Sequence, residues 1–183
     1  MTSATHDAPM TSGGWLTDRG RLLTGLAFLL GLAAILGAWG SELFGGLVPC
    51  ELCLEQRLAY YWGLPVLALV LILWHRLPRA ALLAGLLVAA AIFAWGTYMG
   101  TYHAGVEWRF WPGPTACTGT GGDVSFSDLT NLNAAPRVVP CDVVQFRFLG
   151  LSLAGYNALV SIAIVVALLV SAGFVRNSRA SSR

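Results

Sequence analysis

The sequence predicts an all-α membrane protein: a four-helix transmembrane bundle with a long extracytoplasmic loop between helices 3 and 4. Three observations lead there. First, the 183-residue chain is 56% hydrophobic and only 11% charged, with a mean hydropathy of +0.68, whereas soluble domains carry roughly 25% charged residues. So little charge cannot coat a water-facing surface, and a bilayer is the expected solvent. Second, the apolar residues gather into runs close to the ~20 residues that cross a hydrocarbon core. Third, the arginines fall unequally on the two sides of those runs. The net charge of +2 gives no reason to expect a nucleic-acid partner, and the length favours one domain.

Residues 1–20 are polar and rich in small side chains, without an apolar period, and are expected to be a disordered cytoplasmic tail. The first apolar run is too long for a cleaved signal and lacks a small-residue cleavage site, so it reads as an uncleaved helix. Residues 22–40 carry no charge and are interrupted only by glycines and Thr24, which makes them the first span. Glycine is tolerated in lipid because it permits close helix approach. Ser41, Glu42, Gly45 and Gly46 open a loop over 41–53 that leads to Pro49 and to Cys50-Glu51-Leu52-Cys53.

The second span is expected over 54–74. Tyr60, Tyr61 and Trp62 at one end and Trp74 at the other suit the aromatic belts of two interfaces. Pro65 should kink it, which neighbouring helices can accommodate. A compact link follows, so short that helices two and three must be antiparallel neighbours. The third span is expected over 80–98. Residues 99–148 then change character: they are rich in proline and glycine, and hold Trp108, Trp111, Cys117 and Cys141. That is too long for an idle connection, and its aromatic content sets it against the membrane surface. The fourth span is expected over 149–175, with Ser152, Asn157 and Ser161 available for interhelical hydrogen bonds. Residues 177–183 form a basic tail, leaving 21–176 as the single transmembrane domain.

Four spans put both termini on one side. Arg19, Arg21, Arg76, Arg79, Arg176, Arg179 and Arg183 fall there, and Arg57, Arg109, Arg137 and Arg147 on the other. The excess of positive charge assigns the termini to the cytoplasm. All four cysteines then lie outside, where disulfides persist.

Pro49 suits a helix start, which places Cys50 and Cys53 in a first turn and Arg57 one turn on. The helix dipole and a guanidinium at i+4 from Cys53 both favour thiolate, while Glu51 and Glu55 oppose it. A short Cys-x-x-Cys is compatible equally with a structural pair. Cys117 and Cys141 could simply staple the long loop. Alternatively, Cys117, in the Pro-Thr-Ala-Cys-Thr-Gly stretch, is expected to be exposed enough for an incoming protein thiolate to attack its disulfide. No metal is expected, since the second short-spaced pair of a Cys₄ zinc site is missing. No Ser-His-Asp arrangement can be argued, and residues 119–122 lack the lysine of a phosphate loop.

Taken together, several stretches carry a resemblance. They are Pro49-Cys50-Glu51-Leu52-Cys53 with Gln56-Arg57, Tyr102-His103-Ala104-Gly105-Val106-Glu107-Trp108, and Trp111-Pro112-Gly113-Pro114 leading to Cys117. Cys141-Asp142, followed by Phe148-Leu149-Gly150-Leu151-Ser152, completes the set. With the four-helix layout, the chain resembles the DsbB family of disulfide bond formation proteins, bacterial inner-membrane thiol:quinone oxidoreductases. The resemblance implies a periplasmic loop and four catalytic cysteines, Cys50, Cys53, Cys117 and Cys141. A periplasmic DsbA-type dithiol partner would attack Cys117. Cys141, released, would engage Cys50, and Cys53 would interact with a ubiquinone or menaquinone held by Arg57, with His103 nearby. The partners implied are the DsbA-type protein, the membrane quinone pool and the lipid bilayer. The chief departures are Gln56, where some members carry glutamate, and residues 119–139, the least family-like part. From the residues alone, a membrane scaffold with purely structural disulfides, or a variant dedicated to one partner, stays open beside this reading.

Overall fold

The computed structural model describes residues 12–114, 117 and 139–178. Four helices carry the fold: α1 (Ser12–Leu43), α2 (Glu51–Ile72), α3 (Arg79–Glu107) and α4 (Leu153–Asn177). A two-stranded hairpin, β1 (Arg147–Phe148) and β2 (Leu151–Ser152), precedes α4, with Arg147 paired to Ser152 and Phe148 to Leu151. The helices pack as a closed ring: α1 on α2, α2 on α3, α3 on α4, and α4 back on α1.

The ends of the ring identify themselves by their contacts. At one end Arg21 of α1 hydrogen-bonds His75, just beyond α2, at 2.9 Å. Nearby, the hydroxyls of Thr24 and of Ser171 on α4 both reach the Gly20 carbonyl, at 2.9 and 2.8 Å. The start of α1 therefore meets the ends of α2 and α4. At the opposite end, Cys50 at the start of α2 meets His103 near the end of α3. The helices run alternately up and down.

Between these ends lies a core built on Leu67, Leu86, Phe93, Ile164 and Leu168, each fully buried. Tyr60 stacks edge-on against Phe93 at 5.6 Å. Helices α3 and α4 approach closely at Gly100, where a Cβ would stand 2.9 Å from the Ala158 backbone nitrogen. The outer faces are apolar too: Leu29, Leu36, Trp62, Ile72, Val88 and Val166 are all exposed. Exposed large apolar side chains all round a bundle need a lipid solvent. Three stretches, Trp15–Leu43, Arg79–Glu107 and Leu153–Asn177, are long and apolar enough to cross a membrane. Helix α2 differs because its first two turns carry Glu51, Glu55 and Arg57.

Several expected boundaries move. Residues 12–20, expected in the disordered tail, are helical. Arg19 covers the Trp15 ring at 3.5 Å one turn away, and Gly20 docks against Ser171, a partner that a local reading cannot supply. Helix α3 runs nine residues past its expected end at 98 because the next stretch packs on the start of α2 rather than entering the loop. It stops where Arg109 takes a positive φ of 61°. Residues 149–152, expected in the fourth span, form the hairpin turn and β2. Leu149 (φ 48°) and Gly150 (φ 83°) make the reversal, and the Ser152 hydroxyl caps α4 by accepting the Gly155 N–H at 3.2 Å. Helix α2 begins at Glu51, three residues before 54. The expected disorder of residues 1–11 and the tail beyond 178 lie outside the described residues.

Candidate active site

Pro49 directs the chain into α2 with Cys50 as N-cap, in extended conformation at φ −78°, ψ 171°. The Cys50 sulfur accepts the Cys53 N–H at 3.3 Å, satisfying one of the free donors of the first turn. This brings the two thiols together, Sγ to Sγ 2.7 Å, both unbonded to other cysteines. Their proximity splits their acidity. The hydrogen bond from the Cys50 thiol lowers the pKa of Cys53, against its burial. The same bond, reinforced by burial, raises that of Cys50. Arg57 adds to the lowering of Cys53 by its charge. The opposing carboxylate is Glu107 of α3, rather than the expected Glu51 and Glu55, whose side chains are exposed.

Cys117 and Cys141 form a disulfide with Cα atoms 5.4 Å apart, within the usual range. Closing a loop of 24 residues constrains the unfolded chain by roughly 3–4 kcal/mol. Cys141 N–H donates to the Cys117 carbonyl, and Cys117 N–H to that of Pro114, both at 2.9 Å. Cys117 was expected to be exposed. It is 1% exposed instead, packed with Cys50, Leu52, Met99, Val106 and Cys141. The cause is tertiary, because the disulfide seats on the end of α3 and the start of α2.

The two cysteine pairs therefore meet. The Cys50 sulfur, a ring nitrogen of His103 and the Cys141 sulfur all lie within 4.8 Å of one another, and all three residues are buried. The trio has metal-ligand chemistry in outline, but a Cys141 sulfur bonded to Cys117 offers no thiolate. Gln145 fastens the arrangement: its amide accepts the Val48 N–H at 3.2 Å and donates to the Val48 carbonyl at 2.6 Å. The segment after Cys141 is thereby tied to the segment before Cys50.

Arg57 pairs with Glu42 at the end of α1. Beside it, a cavity of about 330 Å³ opens between α1 and α4. Ala34, Gly37 and Ala38 give it an apolar wall; Cys53, Arg57 and His103 stand on the other side. Its size suits a ring-sized ligand. A small-residue wall facing a guanidinium and a thiol fits a flat apolar ring bearing carbonyl oxygens. So four of the six expected site residues, Cys50, Cys53, Arg57 and His103, surround one region, and the loop disulfide joins it through Cys141.

Sequence reasoning missed the polar residues that hold this region. Gln56 N–H donors reach the Leu52 carbonyl at 3.1 Å and His103 Nδ1 at 2.6 Å. Asn157 donates to the Gln56 Oε1 at 2.7 Å and accepts from Tyr60 at 2.5 Å. The available signal was a glutamine inside an apolar helix, since such a residue must face protein rather than lipid.

No curated protein and no solved structure matches the chain. The family described as "Disulfide bond formation protein DsbB" matches residues 20–171, from the start of the docked part of α1 to the last turns of α4. With that match spanning the whole bundle and the four cysteines gathered at one end, the chain belongs to the DsbB family.

Proposed function

We propose that the protein is a protein-dithiol:quinone oxidoreductase of the bacterial inner membrane that reoxidises a periplasmic DsbA-type protein and so drives disulfide formation. The observation that carries the proposal is the contact of the two cysteine pairs through Cys50 and Cys141. A purely structural staple has no need of a second thiol pair within exchange distance.

In the sequence of steps, a thiolate of the reduced partner attacks the Cys117 sulfur, and the Cys117–Cys141 bond breaks with Cys141 leaving as thiolate. The second partner thiolate attacks the mixed disulfide, releasing the oxidised partner and the Cys117 thiol. The Cys141 thiolate attacks Cys50 of an oxidised Cys50–Cys53 pair, forming Cys50–Cys141 and expelling the Cys53 thiolate. Cys117 then attacks Cys141, re-forming the loop disulfide and leaving Cys50 and Cys53 reduced. Since Cys117 is buried, the partner reaches it only when its covering parts.

A bound ubiquinone or menaquinone would supply a two-electron, two-proton acceptor for the reduced Cys50 and Cys53 pair. Arg57 and His103 line the cavity suited to it, and the lowered pKa of Cys53 favours the nucleophilic thiolate beside it. DsbA is a strong oxidant, near −120 mV, so its reoxidation needs an acceptor of still higher potential, and a membrane quinone meets that need. In this reading α2 is the fourth span, both termini are cytoplasmic and the cysteines are periplasmic. Purified protein mixed with a reduced DsbA-type protein and a soluble quinone should yield quinol, and Cys53→Ser should not. Quinone reduction that is absent, or that survives Cys53→Ser, overturns the proposal in favour of a scaffold with structural disulfides. A reporter inserted after Ser127 should read out as periplasmic.

A further inference from the structure

The hydrogen bonds behind His103 have a direction that the heavy atoms alone determine. The Leu52 carbonyl only accepts, so the group of Gln56 lying 3.1 Å from it must be the amide nitrogen. That same nitrogen lies 2.6 Å from His103 Nδ1 and donates to it, so Nδ1 carries no proton. The other end of Gln56 is then its oxygen, which accepts from Asn157 at 2.7 Å. The Asn157 oxygen is left to accept the Tyr60 hydroxyl at 2.5 Å. Every member has its partner, and reversing the Gln56 amide would set oxygen against oxygen at Leu52. The proton of a neutral His103 must therefore sit on Nε2, which is 3.6 Å from the Cys50 sulfur. The ionisable groups around the imidazole are Cys50, Cys53 and Arg57 of α2, Glu107 of its own helix at 3.9 Å, Cys141 of the loop and Glu42 of α1.

We infer that Gln56 is a positioning residue: seated on the Leu52 carbonyl and on Asn157, it holds His103 as the Nε2–H tautomer, aimed as a hydrogen-bond donor at the Cys50 and Cys141 sulfurs during exchange between the two pairs. When the Cys141 thiolate attacks Cys50 and Cys53 leaves, negative charge is shared along the line of sulfurs. A donor fixed beside the attacking and central sulfurs stabilises that charge without giving up its proton. The imidazole thus presents its N–H toward the sulfurs, with a hydrogen bond to the Cys141 backbone beside them and its other nitrogen occupied by the glutamine. The role in exchange rests on the redox reading proposed above; the tautomer does not.

The test separates the two. Protein labelled with ¹⁵N-histidine, in detergent micelles, is examined by two-bond ¹H–¹⁵N correlation, with His103 assigned from its loss in His103→Gln. The expected spectrum shows a protonated Nε2 and a bare Nδ1; a protonated Nδ1 overturns the inference. Gln56→Glu cannot donate, so Nδ1 should acquire a proton; a Nδ1 that stays bare overturns it as well. Gln56→Met leaves the tautomer unfixed and should slow formation of the Cys50–Cys141 bond, trapped by acid quench and mapped by mass, about tenfold, the scale of one hydrogen bond to a charged group. An unchanged rate overturns the exchange role. A wild-type protein that shows the expected tautomer yet reduces no quinone would sink the redox reading and leave the glutamine's effect on the ring standing.

Discussion

The side chain of Gln145 pairs with both backbone polar groups of Val48, at 3.2 and 2.6 Å, as a neighbouring strand would. This pairing joins the two cysteine-bearing loops without touching any sulfur. Gln145→Ala should therefore leave all four thiols chemically normal but loosen the approach of Cys141 to Cys50. Loss of two hydrogen bonds at an exposed site costs about 1–2 kcal/mol, so we expect an approximately tenfold lower yield of Cys50–Cys141 bond in trapping experiments, with Cys117–Cys141 unaffected. An unchanged yield would show that the loops meet without the clamp.

The acidity split at the Cys50–Cys53 pair makes a signed prediction. Cys53, its thiolate held chiefly by the hydrogen bond from Cys50, stays deprotonated below the range of an ordinary thiol. Cys50, raised by the same bond and by burial, stays protonated above it. Iodoacetamide should label Cys53 first, at a rate that persists as the pH falls through the ordinary thiol range, and Cys50 only at higher pH. In Cys53→Ser the partner thiolate is gone, and the Cys50 profile should move to lower pH. Mass mapping of the alkylated sites against pH distinguishes these outcomes from a pair of equivalent thiols.

Arg57 is shared between Glu42 and the cavity. Arg57→Gln should raise KM for a soluble quinone about tenfold while leaving transfer from the dithiol partner to Cys117–Cys141 intact. Glu42→Gln removes the competing carboxylate and should lower KM. Steady-state kinetics with each variant checks both directions, and a rise in KM for Glu42→Gln would mean that the carboxylate orients Arg57 rather than competing for it.

At Gly100 the backbones of α3 and α4 approach so closely that a Cβ meets the Ala158 nitrogen at 2.9 Å and its Cα at 3.1 Å. Gly100→Ala should force the helices apart, at a cost of about 1–3 kcal/mol, and lower the Tm in detergent. Because Asn157 sits beside Ala158, the same substitution should also disturb the hydrogen bonds to Gln56 and Tyr60. Gly37→Ala, where a Cβ meets nothing within 4 Å, is the matching control and should leave Tm unchanged.

Much of this bundle is written in the spacing of its apolar runs, because lipid imposes a minimum helix length that composition reveals directly. The residues that deviated did so through tertiary contacts. Residues 12–20 look like a tail until Gly20 meets Ser171, and residues 99–107 look like a loop until His103 meets Cys50 and Gln56. Cys50, Cys53 and Arg57 were legible as a unit because helical periodicity fixes them locally. The burial of Cys117 against Cys50 and the chain from Tyr60 to His103, with sequence separations of 47 to 101, join distant residues that no local pattern encodes.

The ring order of the helices has a consequence for biogenesis. Of the four main packing surfaces, three join helices adjacent in sequence; the exception is α1 against α4. The 330 Å³ cavity lies on that seam, with Ala34, Gly37 and Ala38 from the first helix facing Asn157 and Val160 from the last. A nascent chain that has delivered α1, α2 and α3 to the bilayer already holds Cys50, Cys53, Arg57 and His103, but the pocket beside them still lacks a wall. The cavity therefore closes only once α4 has joined α1, and a chain lacking α4 would hold these side chains with one wall of the cavity missing.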